Sequence, residues 1–170
     1  AVNNNYLDAQ CTGLTVNSVA QTPTVTNPAG NRRILAYCVS GATYTADSRI
    51  NRVRFNTIDV ANTTGCQTYT DNTAFSTNVE IGSSYNLIVT AGTCGGNYDK
   101  YYRVFFDWNN DGDFDDLNES PMAAVAGPVN ATGDFPTLPI TVPSNAVAGQ
   151  TSMRVVLVES TVINACGTYF

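Results

Sequence analysis

At 170 residues the chain is long enough for one packed core, and with eight basic against fourteen acidic side chains it carries a net charge of −6. No basic cluster exceeds the pair Arg32-Arg33 and no stretch approaches the ~20 apolar residues of a membrane helix, which excludes a nucleic-acid partner and a helical membrane span. The absence of histidine removes every Ser-His-Asp or Cys-His arrangement, so the chain reads as non-catalytic.

The surface is dressed with Asn, Thr, Ser and Gly rather than with charge, as in secreted β-proteins. The five cysteines, Cys11, Cys38, Cys66, Cys94 and Cys166, form no Cys-x-x-Cys pair, and without histidine they make a poor zinc set. Two disulfides with one cysteine left over is the better reading, and it implies an oxidising, extracellular compartment.

Residues 1–30 differ from the rest. "NSVAQTPTVTNPAG" is polar and punctuated by proline, suited to an extended arm or edge strands, with a turn at Pro28-Ala29-Gly30. From residue 31 onward short strand signals recur, and residues 31–170 are expected to form one domain. "RILAYCV" is the first. "RINRVRFNTIDV" alternates over Val53, Phe55 and Thr57, with Arg52, Arg54 and Asn56 on the other face. "SYNLIVT" puts Tyr85, Leu87 and Val89 on one side. "KYYRVFFDW" is the strongest signal: Tyr102, Val104, Phe106 and Trp108 share one face, and Tyr101, Arg103, Phe105 and Asp107 the other. "LPITV" and "SMRVVLV" complete the set. Period two beats period 3.6 in each run, and β-branched and aromatic residues dominate. The expected fold is all-β, an antiparallel, jelly-roll-like β-sandwich with no substantial helix.

The aromatic strand runs into "DWNNDGDFDDLNE", which packs five aspartates and a glutamate into Asp107 to Glu119. Carboxylates held ~5 Å apart repel by roughly 3 kcal/mol per pair at an effective dielectric near 20, so a tight turn of this composition needs a cation or must stay open to solvent. Against a calcium loop, Asp107 stands at position 1, Asn109 at 3, Asp111 at 5 and Gly112 at 6, where the backbone turns sharply. Asp113 falls at position 7. Position 12, ordinarily a bidentate glutamate, is Asn118, and Glu119 lies one residue later. The expected ligands to a structural calcium ion are Asp107, Asn109 and Asp111, joined by Asp113, Asp116 and Glu119.

Several segments together resemble the GEVED domain family: "RINRVRFNTIDVANTTGCQTYTDNTAFSTNVEIGSSYNLIVTAG", "YYRVFFDWNNDGDFDDLNE", "ITVPSNAVAGQTSMRVVLVES" and "ACGTY", in that order. The resemblance covers about Tyr37 to Tyr169. It implies a non-catalytic accessory β-sandwich of secreted, often multidomain proteins of Bacteroidetes and related bacteria, attached to proteases, adhesins and other surface proteins, with an acidic loop that resembles a calcium site. The "YC" at Cys38 and the "ACG" at Cys166 resemble the family's bracketing positions, which implies a Cys38–Cys166 pair. On that pairing, one of several that five cysteines allow, Cys66 and Cys94 would form a second bridge flanking the "SYNLIVT" strand, with Cys11 unpaired or bonded to another molecule.

The Gly-Glu-Val-Glu-Asp segment from which the family takes its name is absent after Phe170. Either the segment has been cut away, or its strand comes from elsewhere, and an open sheet edge invites β-augmentation by another copy. The functional expectation is a calcium-stabilised extracellular structural or adhesive module whose partners are copies of itself, in a filament or surface layer, or a parent surface protein. The alternative is a carbohydrate-binding accessory module that uses tyrosines in "TYTD", "NYDKYY" and "GTYF" to hold a glycan.

Overall fold

The structure, a computed structural model, describes residues 4–7, 14–17, 37–122 and 125–169. Among these residues there is no helix, and the chain folds as an all-β, sandwich-like body. One sheet is built in the order Asn4–Leu7 (β1), Met153–Val158 (β13), Lys100–Phe106 (β8) and Ala126–Val129 (β9), every neighbour antiparallel. The second runs Gly133–Asp134 (β10), Ser84–Thr93 (β7), Ser48–Phe55 (β4) and Ile58–Ala61 (β5), with Leu138–Thr141 (β11) also on β7.

Two small sheets complete the body. Gly149–Thr151 (β12), Leu14–Asn17 (β2) and Thr77–Glu80 (β6) form one, and Gly167–Tyr169 (β14) with Ser40–Ala42 (β3) the other. The β2–β6 and β3–β14 pairs are parallel, a feature that local periodicity does not carry because each joins segments far apart in sequence.

The period-two pattern explains the main core. Val53 and Phe55 of β4, Leu87 and Val89 of β7, Tyr102, Val104 and Phe106 of β8, and Val155 and Leu157 of β13 meet in one buried cluster, joined by Trp108. Each such side chain removed from water contributes roughly 1.5–3 kcal/mol. The other face of β8 and β13 is covered too. Phe105, Val156 and Val158 pack there with Phe114 of the acidic loop and with Ile163 and Ala165. Strand β13 is therefore buried at every position, and the acidic loop lies on the outer face of the same sheet.

Two strand expectations change. The alternation expected to continue through Thr57 stops at Phe55, because Asn56 takes a φ of +51° and begins a two-residue turn that pairs Phe55 with Ile58. Asn tolerates that left-handed backbone, and its Nδ2 donates to Asn78 O at 2.7 Å and to Thr77 Oγ1 at 2.9 Å. In "RILAYCV", residues 33–36 lie outside the described residues, and Tyr37, Cys38 and Val39 precede β3 rather than belong to a strand. The turn expected at Pro28-Ala29-Gly30 also lies outside them.

Candidate metal centre

Strand β8 delivers Asp107 directly into the loop, and backbone hydrogen bonds close the loop's neck. Phe106 N donates to Glu119 O at 2.7 Å, Asp107 N donates to Ser152 O at 3.1 Å, and the Thr151 hydroxyl donates to Asp107 O. The first and last acids of the stretch are thereby fixed to the sheet, and both are buried.

Inside the neck the carboxylates organise the backbone. Asp107 Oδ1 accepts from Asp111 N at 3.1 Å, and its Oδ2 accepts from Gly112 N at 3.0 Å and from the Tyr37 hydroxyl at 2.7 Å. Asn109 Oδ1 also accepts from Asp111 N, Asp111 Oδ1 from Asp113 N, and Asp113 Oδ1 from Asp115 N. Gly112 takes a φ of +100°, a conformation that side-chain-bearing residues rarely adopt.

The acids expected to bind an ion come together in two overlapping groups. Carboxylate oxygens of Asp107, Asp111 and Glu119 lie within 4.8 Å of one another, as do those of Asp111, Asp113 and Asp116. Asn109 meets both groups with its amide nitrogen rather than the oxygen expected to ligate: Nδ2 donates to Asp111 Oδ2 at 2.9 Å and to Asp116 Oδ2 at 2.5 Å, while Oδ1 accepts from Asp111 N. Asn118, at the position ordinarily held by glutamate, instead takes a φ of +75°, and the next residue, Glu119, points into the group.

Glu119 is the informative residue. It is 1 % exposed, its Oε2 accepts from Asp116 N at 3.1 Å, and its Oε1 is buried with no hydrogen-bond donor. A buried carboxylate oxygen without a partner is costly unless something positive meets it. Burial, and then the charges of Asp107, Asp111 and Asp116, push the Glu119 carboxyl up to about 7 against the opposing pull of the Asp116 N–H. Burial also raises Asp107, offset by the Tyr37 hydroxyl and the surrounding N–H groups.

This donor set fits a hard divalent cation: all-oxygen, carboxylate-rich, with neither imidazole nor thiolate.

Two residues that sequence reasoning missed support the loop from behind. The Tyr37 ring stacks on Phe114 at 4.9 Å and 22°. The guanidinium of Arg154, on the otherwise apolar β13, lies 4.9 Å from the centroid of the Phe114 ring and donates to Ala165 O at 2.8 Å. A lone arginine inside "SMRVVLV" was the available signal for the second; nothing in the local sequence marks the first.

Cys38 and Cys166 stand bonded in the structure, as do Cys66 and Cys94. Arg154 also donates to Cys38 Sγ at 3.3 Å. Cys11 lies outside the described residues. Of the tyrosines considered for glycan contact, Tyr69 and Tyr98 are exposed, Tyr101 and Tyr169 are half-buried, and Tyr102 is fully buried in the core, which removes it from that set.

The model of the GEVED domain family matches residues 101–170, while no curated protein and no solved structure matches the chain. The matched span begins in β8, includes the whole acidic loop and β13, and reaches the strand beyond Cys166. Over residues 101–170 the chain is thus similar to the GEVED domain, which supports the family resemblance drawn from its sequence.

Proposed function

We propose that the chain is a non-catalytic, calcium-stabilised extracellular module with a structural or adhesive role. The observation that carries this reading is the unpartnered, buried Oε1 of Glu119 among the carboxylates of Asp107 and Asp111. Asp107 and Glu119 hold the ion from the buried side, with Asp111, Asn109, Asp113 and Asp116 toward solvent. Calcium offsets the mutual repulsion of these acids and ties the loop to the end of β8. The two disulfides support an oxidising, extracellular location.

Calorimetric titration of calcium into chelator-stripped protein tests the reading. The expected result is saturable binding that Glu119→Gln weakens about a hundredfold, or ~2.7 kcal/mol. Absence of binding in the unsubstituted chain refutes it.

A second reading, a carbohydrate-binding accessory module, is favoured by one feature. A groove with a mixed polar lining lies against the acidic loop and draws on Arg103, Asp115, Asp116 and Asn164.

A further inference from the structure

The groove, of about 380 Å³, takes its lining from three parts of the chain: Arg103 of β8, the acidic loop with Ser120 just after it, and the segment beyond β13. That volume is within the range of small-molecule sites. Phe105 and Phe114 also border it but are 4 % and 5 % exposed, so they offer ring edges rather than an apolar platform. An apolar ligand would gain little here.

Arg103 is held in place without an acidic partner. Its Nε donates to Ser120 Oγ at 2.7 Å, its two other nitrogens reach Met122 O and Ile163 O only at 3.4 and 3.5 Å, and the guanidinium lies 5.5 Å from the centroid of the Phe105 ring. The ion pairs among the described residues, Arg52–Asp59 and Arg54–Asp134, do not include it. A guanidinium carries five N–H donors, so some of Arg103's remain for a ligand.

Asp115 and Asp116 supply acceptors to the same groove, and the exposed Asn164 supplies both kinds of group. The two acids disfavour an anionic ligand, and Arg103 disfavours a cationic one. A neutral molecule rich in groups that both donate and accept satisfies all of them, and adjacent sugar hydroxyls are that chemistry.

We propose that this groove binds a short stretch of neutral polysaccharide, with hydroxyl oxygens accepting from Arg103 and Asn164 and hydroxyl hydrogens donated to Asp115 and Asp116. The inference rests on the carbohydrate-binding reading and moves the contact away from the surface tyrosines. It also links the groove to the metal centre, because Asp116 belongs to both. An ion on the Asp111–Asp113–Asp116 group fixes part of the groove's lining.

The test is calorimetric titration of the full chain in calcium with neutral tetrasaccharides of glucose, mannose, galactose and N-acetylglucosamine, with an oligogalacturonate as the anionic comparison. Asp115→Ala and Asn164→Ala are the variants, since both side chains are exposed and their loss leaves the core intact. At least one neutral sugar is expected to bind, each substitution weakening it about tenfold with the melting temperature unchanged. No binding of any neutral sugar at millimolar concentration overturns both the groove and the carbohydrate reading. Binding of equal strength in both variants leaves that reading standing and overturns the groove. Binding of the oligogalacturonate alone overturns the neutral-ligand assignment.

Discussion

The hydroxyl of Tyr37 donates a 2.7 Å hydrogen bond to Oδ2 of Asp107, joining positions 70 residues apart. Tyr37 directly precedes Cys38, which is bonded to Cys166, and its ring lies on Phe114 of the acidic loop. The buried acid that opens the loop is therefore held by a residue anchored next to the disulfide that spans most of the chain.

Tyr37→Phe removes that donor while keeping the ring stack. Loss of a hydrogen bond to a buried carboxylate costs about 1.5–3 kcal/mol. Chemical denaturation in calcium should show a loss of that order, and calcium titration should show weaker binding. Unchanged stability and affinity would mean that the Tyr37–Asp107 bond contributes nothing.

Removing the two disulfides separately should have unequal effects. Cys38–Cys166 closes a separation of 128 residues and Cys66–Cys94 one of 28, for which chain entropy gives upper values of about 5 and about 3.5 kcal/mol. The double substitution Cys38→Ser/Cys166→Ser should also weaken calcium binding, since it loosens Tyr37. Cys66→Ser/Cys94→Ser should lower the melting temperature and leave calcium affinity unchanged. Equal calcium affinity in both double variants would break the proposed link between the disulfide and the loop.

Arg154 is 1 % exposed, and its replacement tests the support behind the loop. Arg154→Leu removes one of two donors to Ala165 O, which keeps the Ser40 hydroxyl at 2.7 Å, and strips the cation from the face of Phe114. The expected cost is about 2–4 kcal/mol by denaturant unfolding. A neutral or stabilising outcome would show that apolar packing replaces the buried cation without loss.

Asp134 provides the pH dependence. Thr90 and then Arg54 hold its carboxyl below the usual carboxylate range. A folded-state value below the unfolded one means that the stabilisation is present above the unfolded value, about 3.9, and fades as pH falls through the folded one. Asp134→Asn should therefore leave a shallower loss of stability below about pH 4. The effect is small because the pair is half exposed. A stability curve that matches the unsubstituted protein at every pH would remove the pair from the account.

Much of the fold was legible from alternation. "KYYRVFFDW" and "SYNLIVT" place their apolar faces in the core as their patterns require, because side chains of a strand alternate whatever the strand pairs with. The hairpin turn at Asn56-Thr57 was hidden by β-branched residues that continue the pattern across it. The parallel pairings of β3 and β2 depend on which distant segment lies alongside, which no local window contains.

At the acidic loop, the Asp107, Asn109, Asp111 and Gly112 spacing marks the turn correctly because consecutive side-chain-to-backbone bonds build it. The choice between Asn118 and Glu119 turned on backbone conformation. The φ of +75° at Asn118 carries the chain so that the next side chain is the one buried. Tyr37 was illegible because its role depends on a contact across 70 residues.

Thermal unfolding in calcium and in chelator, for the unsubstituted chain and for Glu119→Gln, tests the central claim most directly. With calcium at about 100 times Kd, binding adds ~2.7 kcal/mol, which for a chain of this size raises the melting temperature by about 5–10 °C. Glu119→Gln should lose most of that rise and, in chelator, should melt no lower than the unsubstituted chain, because it removes a buried charge from a cluster of like charges. Equal melting temperatures with and without calcium in the unsubstituted chain would contradict the account and leave the carboxylates of Asp107 to Glu119 as a turn that needs no ion.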